Sequence, residues 1–349
     1  MERVKFGIIG TGGIVRGAHI PQLLSHGKAE IVWCADVNEA AAKDAASRAG
    51  ASAWGTDYVK LLREQPVDAV TIGTPHNAHH AAVMAALEAG VDTCCEKPLA
   101  MNVREAQEMA DAARERGVIT FVPFSYWFVP AARLLKELID AGELGQIRHV
   151  TGYYGQGLDR APLVWRYQKA IAGSGALGDL CSHIISLAYL WAGPIARLTA
   201  QMKTFIPERP LPGRPNEMGK ADVDDDVQFI GELQNGGMVN LSASRTYTGR
   251  GNYQRIEVSG TDGGVVYDNS KPDELLVCLG KAFRDRGQWA PLAVGRQHRM
   301  TQLHTFVDGI LAGMKPEEVR PNFGVGLAVQ QVMEAAEKSA ALGSWVEVG

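Results

Sequence analysis

The stretch Val4-Lys5-Phe6-Gly7-Ile8-Ile9-Gly10-Thr11-Gly12-Gly13-Ile14-Val15 decides the fold of this chain. Its apolar run, residues 4–9, predicts a buried strand, and the glycines follow that strand directly and open a helix. Glycine permits the tight turn and lets backbone N–H groups approach a pyrophosphate at the positive end of the helix. This order is typical of a dinucleotide-binding loop, although the third fingerprint position is Val15, and a bulky side chain there pushes helix and strand apart.

An acidic residue follows at the expected distance. Asp36 ends the second predicted strand, at roughly the 20-residue spacing where a carboxylate accepts the ribose hydroxyls of a bound dinucleotide. The next residues are Val37 and Asn38, so no Arg or Lys is present to pair with a 2′-phosphate, which favours NAD over NADP. The alternative is that the glycines form only a tight turn and Asp36 only a helix cap. Strand, loop, helix and acid together favour the NAD site.

The first third of the chain alternates short apolar runs with helical patterns. Strands are predicted at residues 4–9, 31–35, 69–72, 91–95 and 118–122, and helices at 18–25, 39–48, 58–64, 79–88 and 103–116. Near-continuous apolar strands separated by helices indicate a parallel sheet covered on both faces. We therefore predict an NAD-binding Rossmann domain, an α/β doubly wound fold, over residues 1–123.

The pattern changes after Pro123. A helix is predicted at 130–140, a helical insertion at 177–191, closing helices at 302–312 and 325–341, and a long loop at 206–221. Strands are predicted at 147–154, 198–205, 227–233, 238–246, 254–259, 264–267 and 275–278. Successive strands without crossover helices indicate an α+β domain, residues 124–349, with a large open, mainly antiparallel sheet and flanking helices. It is expected to bind substrate and to mediate oligomerisation.

Composition excludes several classes of protein. The 349 residues include 35 Lys and Arg against 39 Asp and Glu, with no dense basic block, so nucleic acid and membrane surfaces are not expected partners. No stretch approaches the ~20 apolar residues that span a bilayer. Five scattered cysteines argue against a disulfide framework, and no signal peptide is recognised, so a cytoplasmic location is predicted.

Further motifs carry a family resemblance. They are Thr74-Pro75-His76-Asn77-Ala78-His79, Glu96-Lys97-Pro98, the segment 173–183 (GSGALGDLCSH), residues 223–226 and Pro321-Asn322-Phe323-Gly324. With the glycine loop, they resemble the Gfo/Idh/MocA family (glucose-fructose oxidoreductase, inositol dehydrogenase and relatives) over essentially the whole chain. The resemblance implies cofactor contacts at Gly10, Gly12, Gly13, Ile14, Asp36, Thr74, Pro75, His76, His79, Glu96 and Lys97.

The resemblance also implies a catalytic set of Lys97, Asp179 and His183. By spacing alone, Lys97 is a surface lysine at a strand end, and Asp179 and His183 are an acid and a histidine on one face of a helix start. With the family roles, His183 is the general base toward a hydroxyl, Lys97 stabilises the developing alkoxide, and Asp179 holds the polyol and tunes the pair. Because these residues come from different domains, a cleft is expected. Pro98 is a candidate for a cis peptide bond.

Substrate residues are harder to assign from sequence. Trp165 and Arg166 precede the catalytic helix and offer an aromatic face and a guanidinium to a sugar, while Tyr153, Arg245 and His304 are further candidates. Each has an ordinary structural explanation, as do His76 and His80, which fit a solvated helix face. No metal site is predicted, because the histidines lack a second ligand cluster. The chain departs from the family pattern at Ser186 and Trp127, where many relatives carry an acid and an arginine.

These observations predict an NAD-dependent dehydrogenase acting on CH–OH groups of a sugar, glycoside or cyclic polyol. One alternative is an NAD-dependent glycosidase that works by transient oxidation, elimination and rereduction. A second is an NAD-sensing regulator without turnover, against which the intact lysine, aspartate and histidine argue. Since an open sheet with an exposed apolar face needs covering, a homodimer or homotetramer is expected.

Overall fold

The computed structural model describes residues 2–349. Its strands are β1 Val4–Ile9, β2 Ala29–Ala35, β3 Ala53–Gly55, β4 Ala69–Ile72, β5 Asp92–Cys95, β6 Thr120–Phe121, β7 Ile147–Gly155, β8 Ile195–Lys203, β9 Glu208–Leu211, β10 Arg214–Lys220, β11 Asp226–Leu233, β12 Met238–Ser244, β13 Tyr253–Gly260, β14 Gly263–Asp268, β15 Glu274–Leu279, β16 Ala290–Ala293 and β17 Val346–Glu347. Its α-helices are α1 Ile20–His26, α2 Glu39–Ala49, α3 Tyr58–Glu64, α4 His79–Glu88, α5 Val103–Arg116, α6 Pro130–Asp140, α7 Lys169–Ala172, α8 Ser182–Ala192, α9 Lys281–Arg286, α10 Gln302–Leu311 and α11 Phe323–Leu342. Two π-helical turns, Val15–His19 and Leu177–Cys181, precede α1 and α8.

The first compact unit is a doubly wound α/β domain. Its six strands pair in parallel in the order β3-β2-β1-β4-β5-β6. The strand order reverses between β1 and β4, and ligands of such sheets bind at this position. The predicted Rossmann fold is confirmed. Only β3 was not predicted, because three residues with partly exposed side chains give no apolar run.

The two units divide the chain differently from the predicted domains 1–123 and 124–349. Of the described residues, 2–123 and Thr301–Leu327 form one unit, and Phe124–Met300 and Ala328–Gly349 form the other. The reason lies in α10, whose Phe306 ring is 6.1 Å from the ring of Phe6 and 5.6 Å from that of Phe121. This helix therefore buries its apolar face on the six-stranded sheet, a long-range contact that sequence order does not reveal.

The second unit is built on a nine-stranded sheet in the order β16-β15-β14-β13-β7-β12-β11-β8-β17. All its pairs are antiparallel except β12 with β7, so the predicted mainly antiparallel sheet is confirmed. Helices cover one face: the ring of Trp191 in α8 lies 5.8 Å from that of Tyr267, and Ser339 Oγ in α11 accepts the Ala200 N–H at 2.9 Å. The other face is largely polar.

The predicted loop at 206–221 is wrong, because β9 and β10 form a hairpin there. The fully buried Arg209 holds it: one guanidinium nitrogen lies 2.9 Å from Asp225 Oδ1, and another donates to the Leu158 carbonyl at 2.8 Å. The same guanidinium stacks on the Tyr167 ring, 3.8 Å from its centroid. A buried charged residue does not follow the apolar alternation by which strands are recognised, so the sequence resembled a loop.

One helical segment, Lys169–Ala192, is long and apolar enough to cross a membrane by composition. Of the window that meets this criterion, 78% is buried inside the protein. A core helix has the same composition for the same reason, which is the exclusion of apolar side chains from water. The segment is therefore weak evidence for a membrane span.

Candidate functional site

In the glycine loop after β1, the backbone conformation requires glycine at Gly10. Gly12 and Gly13 instead leave open space where a side chain would be. Gly10 has φ +82°, and a Cβ there would lie 2.8 Å from the backbone carbon of Gly73. A Cβ at Gly13 would meet nothing within 4 Å, and at Gly12 only the Gly73 carbonyl at 3.8 Å. The space that those side chains would fill is where a dinucleotide phosphate approaches the backbone at the start of a helix, so the loop fits NAD.

Val15, the imperfect third fingerprint position, is accommodated by Gly73, the residue that follows β4. Val15 is fully buried, and a Cβ on Gly73 would lie 2.3 Å from its Cγ2. Helix and sheet therefore approach closely because Gly73, rather than residue 15, has no side chain. Sequence reasoning missed Gly73, although its place after β4 and before Thr74 was visible.

Asp36 holds the glycine loop in its conformation. Its Oδ2 accepts the backbone N–H of Thr11 at 2.8 Å and the Thr11 hydroxyl at 2.9 Å, while Oδ1 accepts the Asn38 N–H at 2.9 Å. The carboxylate is half-buried at the end of β2. It thus combines the predicted position beside the loop with a structural role, and a carboxylate here repels a 2′-phosphate.

His79, a predicted cofactor residue, is fully buried between two loops. Its Nε2 lies 3.2 Å from the Thr74 carbonyl, and its Nδ1 lies 3.1 Å from the Pro98 carbonyl. Burial lowers the pKa of His79, with the surrounding carbonyls opposing that effect. The ring ties the segment after β4 to the segment after β5, where the Lys97–Pro98 peptide is cis as the sequence suggested.

The other two histidines of this region differ from each other. His76 is buried, with its ring 5.5 Å from that of His79, so the solvated helix face proposed for it is wrong. His80 fits that explanation, because it is half-exposed and lies 2.8 Å from Glu108. Pro75 precedes the short helical turn that carries His76.

Glu96 has a buried partner that sequence reasoning missed. His19 Nε2 lies 2.9 Å from Glu96 Oε1, and His19 Nδ1 lies 2.7 Å from Thr71 Oγ1. Burial alone would raise the pKa of Glu96, but hydrogen bonding and the charges of His19 and Lys97 hold it below its ordinary value. Glu96 Oε2 also accepts the Lys97 backbone N–H at 3.1 Å. The only sequence signal for His19 was a polar residue on the apolar face of a predicted helix.

In the second unit, the glycine-rich lead-in shapes the turn that carries Asp179 and His183. A Cβ on Gly175 would lie 1.8 Å from the Asp224 carbonyl oxygen, so no larger residue fits. Asp224 accepts the N–H groups of Gly175 and Leu177 at 2.6 and 2.7 Å. Burial raises the pKa of Asp224, and these N–H bonds oppose it. The turn is π-helical rather than the α-helical start that was predicted.

Asp179 forms an ion pair with a predicted substrate residue. Arg245 Nη2 lies 3.0 Å from Asp179 Oδ2, and Arg245 Nη1 donates to the Arg166 carbonyl at 3.2 Å. Arg245 is fully buried, so its charge acts on Asp179 with little screening by water. The Arg166 guanidinium lies 4.4 Å from the Trp165 ring centroid. These contacts therefore link four predicted site residues, Asp179, Arg245, Arg166 and Trp165.

The buried imidazole of His183 lies among three aromatic rings. Ring centroids are 4.9 Å away for Tyr126, 6.1 Å for Tyr154 and 6.3 Å for Phe124. The Tyr126 and Tyr154 hydroxyls are 3.1 Å apart, and Asn252 Nδ2 donates to Tyr126 Oη at 2.8 Å. Burial, reinforced by Tyr126, raises the pKa of Tyr154, so its hydroxyl stays protonated.

A fourth polar side chain completes this cluster. Gln156 Nε2 donates to Asn252 Oδ1 at 2.9 Å and to Tyr154 Oη at 3.4 Å. Hydroxyl and amide groups are the donors and acceptors that sugar hydroxyls require. Sequence reasoning missed Tyr126, Tyr154, Gln156 and Asn252, because none of them stands in a motif.

Two predicted substrate residues, Tyr153 and His304, contact other groups. Tyr153 belongs to the opposite face of β7 from Tyr154, with its ring 5.9 Å from that of Tyr247, since successive strand residues alternate between faces. His304, in α10, has its Nε2 3.0 Å from both the Ser25 hydroxyl and the Gln22 carbonyl. It thus packs on the end of α1 that is remote from the glycine loop.

The two departures from the family pattern contact each other. Trp127 Nε1 donates to the Ser186 carbonyl at 3.1 Å, and the Ser186 hydroxyl donates to the His183 carbonyl at 2.7 Å. Both side chains are buried. An indole and a small hydroxyl, which are both uncharged, therefore occupy the two positions where the family pattern has an arginine and an acid.

The chain is similar to known proteins over its whole length. A family model described as an oxidoreductase family with an NAD-binding Rossmann fold matches residues 4–124, and one described as a GFO/IDH/MocA C-terminal domain matches residues 132–266. Levoglucosan dehydrogenase of Pseudarthrobacter phenanthrenivorans is 33% identical, over 100% of this chain and 99% of its own length. Myo-inositol 2-dehydrogenase of Thermotoga maritima is 27% identical over 90% of each chain. A structure of levoglucosan dehydrogenase with NADH and levoglucosan superimposes with TM-score 0.91 and 32% identity, covering 99% of both chains.

Proposed function

Because the chain belongs to the GFO/IDH/MocA family of NAD-binding oxidoreductases, we propose that it transfers hydride between NAD and a secondary ring hydroxyl of a sugar or cyclic polyol. The resemblance predicted from the motifs is confirmed, and so is the prediction of an NAD-dependent oxidoreductase. The observation that supports the substrate class best is the polar cluster beside His183. Tyr126, Gln156 and Asn252 present hydroxyl and amide groups next to an imidazole that suits a general base.

The proposed roles follow from the chemistry of each side chain. His183 accepts the proton of the reacting hydroxyl, and Lys97 donates a hydrogen bond to the oxygen as negative charge develops on it. Asp179 accepts a substrate hydroxyl, while Arg245 keeps its carboxylate oriented. NAD, when bound, supplies the hydride acceptor, and the glycine loop with Asp36 holds it. The aromatic rings around His183 exclude water from the base.

Relatives narrow the substrates worth testing. One relative oxidises levoglucosan, according to its name, and another acts on myo-inositol. Both are cyclic polyols with several neighbouring hydroxyls, which fits a site rich in amide and hydroxyl groups.

The direct test is to incubate the purified protein with NAD and levoglucosan, myo-inositol, glucose or an aryl glycoside, following NADH absorbance and product identity. We expect NADH from at least one free sugar or polyol. Lys97→Ala is expected to lower kcat by about 10²- to 10⁴-fold. The exposed Lys60, which pairs with Glu64, provides the matched control Lys60→Ala, with activity unchanged.

Three outcomes would contradict the proposal. Release of the aglycone without net NADH would indicate the glycosidase reaction, in which the cofactor is reduced and reoxidised in each turnover. Full activity of Lys97→Ala would remove Lys97 from the reaction. Retained NAD binding without turnover of any substrate would favour the regulator.

The remaining predictions concern the oligomeric state, the location and the partners of the protein. The outer face of the nine-stranded sheet carries the exposed Ile230 and Met238 on neighbouring strands. These two apolar side chains support a homodimer or homotetramer. The broad apolar face that was expected would have supported it more strongly. Sedimentation of the unaltered protein and of Ile230→Lys measures this. A cytoplasmic location and the absence of nucleic acid and membrane partners stay predictions.

A further inference from the structure

A buried histidine links the helix after the glycine loop to the strand end that carries Lys97. His19 is the last residue of the π-helical turn Val15–His19 and is fully buried. Its imidazole contacts Thr71 in β4 at 2.7 Å and Glu96, directly after β5, at 2.9 Å. One side chain therefore joins three elements that are far apart in the sequence.

The partners of His19 determine which nitrogen donates. A carboxylate can only accept a hydrogen bond, and Glu96 is ionised because its pKa is held below the ordinary value despite burial. Nε2–H of His19 therefore donates to Glu96, and Nδ1 is left to the Thr71 hydroxyl, which can both donate and accept. The bond to Glu96 is charge-assisted, and such bonds are roughly twice as strong as neutral ones.

Glu96, held by His19, in turn forms a hydrogen bond with the next residue, Lys97. Its second oxygen, Oε2, accepts the backbone N–H of Lys97 at 3.1 Å. On the other side, His79 Nδ1 lies 3.1 Å from the Pro98 carbonyl. The Lys97 N–H is thus held by the carboxylate that His19 contacts, and the carbonyl of the following residue, Pro98, is held by the buried imidazole of His79.

We propose that His19 is a positioning residue for Lys97: by donating to Glu96, it fixes the backbone from which the lysine side chain is aimed. This inference rests on the proposed function, which gives Lys97 its part in the reaction. The role requires a hydrogen-bond donor at the place of Nε2. It does not require an aromatic ring or a titratable group.

Two variants separate the donor from the ring. In His19→Gln, the side-chain amide nitrogen reaches the place of Nε2 and can still donate to Glu96. In His19→Asn, the shorter amide reaches only the place of Nδ1, so the Thr71 partner is kept and the Glu96 partner is lost. Both variants remove the imidazole from the same buried space, and a merely structural role therefore predicts equal losses.

We expect His19→Asn to lower kcat by about 10- to 100-fold, the effect of misplacing a catalytic group by about 1 Å. Its KM for sugar and its Kd for NAD should change less than about threefold, because the lost interaction matters in the transition state. His19→Gln should restore kcat to within about threefold of the unaltered enzyme. His80→Asn, at a half-exposed histidine, is the control for the substitution itself.

A second readout does not depend on turnover. Hydrogen exchange of the peptide spanning residues 94–99 reports the Lys97 N–H bond to Glu96, and it should accelerate in His19→Asn but not in His19→Gln. Equal kcat and equal exchange in the two variants, or native values in His19→Asn, would overturn the proposal. If the unaltered protein oxidises no sugar while the exchange difference is observed, the proposed function fails and the positioning of Lys97 by His19 is supported.

Discussion

Gly73→Ala tests whether the glycine that follows β4 compensates for Val15 in the glycine loop. The new Cβ would lie 2.3 Å from Val15 Cγ2, well inside van der Waals contact. Val15 is fully buried and β-branched, so its side chain has no alternative rotamer into which it can move cheaply. Overpacking of this kind costs about 1–3 kcal/mol, and we expect that loss in the free energy of unfolding, measured by urea denaturation.

The double variant Gly73→Ala/Val15→Ala gives the decisive comparison. Without Cγ2, the nearest atoms to the new Cβ are Ile14 Cγ2 at 3.7 Å and Val15 Cβ at 3.8 Å, which are ordinary contacts. Val15→Ala alone should cost about 2 kcal/mol through its cavity, and adding Gly73→Ala should then cost close to nothing. Gly13→Ala, whose Cβ meets nothing within 4 Å, should keep full stability but weaken NAD binding. An equal cost of Gly73→Ala in both backgrounds would refute this explanation.

Three further predictions concern charged groups. Burial, with a contribution from Asp68, raises the pKa of Asp92 to about 6, above its unfolded value, so stability should increase as the pH falls from about 7.5 to about 5. Asp92→Asn should abolish that increase in urea titrations at each pH, and an unchanged profile would exclude Asp92 as its source. Arg209→Met leaves the buried Asp225 without its charge partner and should cost about 3–5 kcal/mol by calorimetry, with partial recovery in Arg209→Met/Asp225→Asn. Asp36→Asn should lower the preference for NAD over NADP about tenfold in fluorescence titrations, because the charge that repels a 2′-phosphate is removed; an unchanged ratio would contradict this role.

Most elements of the fold could be predicted because their side chains repeat with a clear period. The bounds of β1, β4, α3, α4, α5 and α6 agree with the sequence pattern, since apolar runs and amphipathic repeats mark buried strands and helices directly. The β9–β10 hairpin could not be predicted, because its stability comes from the buried Arg209 rather than from apolar alternation.

The faces of strands were the weakest point of the site prediction. Tyr153 and Tyr154 are adjacent in sequence and chemically identical, yet only Tyr154 lies beside His183. The face is set by strand register, and a register shift of one residue moves every side chain to the other face. No local pattern in residues 147–155 indicates which face of β7 packs against the helices of this unit.

The sequence by itself determined the doubly wound fold and the NAD-binding loop. These depend on backbone freedom at glycine and on short-range periodicity, which are local properties. The set of Lys97, Asp179 and His183 was implied by the family resemblance of the motifs that carry them. Only the tertiary structure decided the partners of these groups: Arg245 for Asp179, His19 for Glu96 and Gly73 for Val15. Such pairs join residues that lie far apart in the chain, and their choice depends on which surfaces meet when the strands and helices pack.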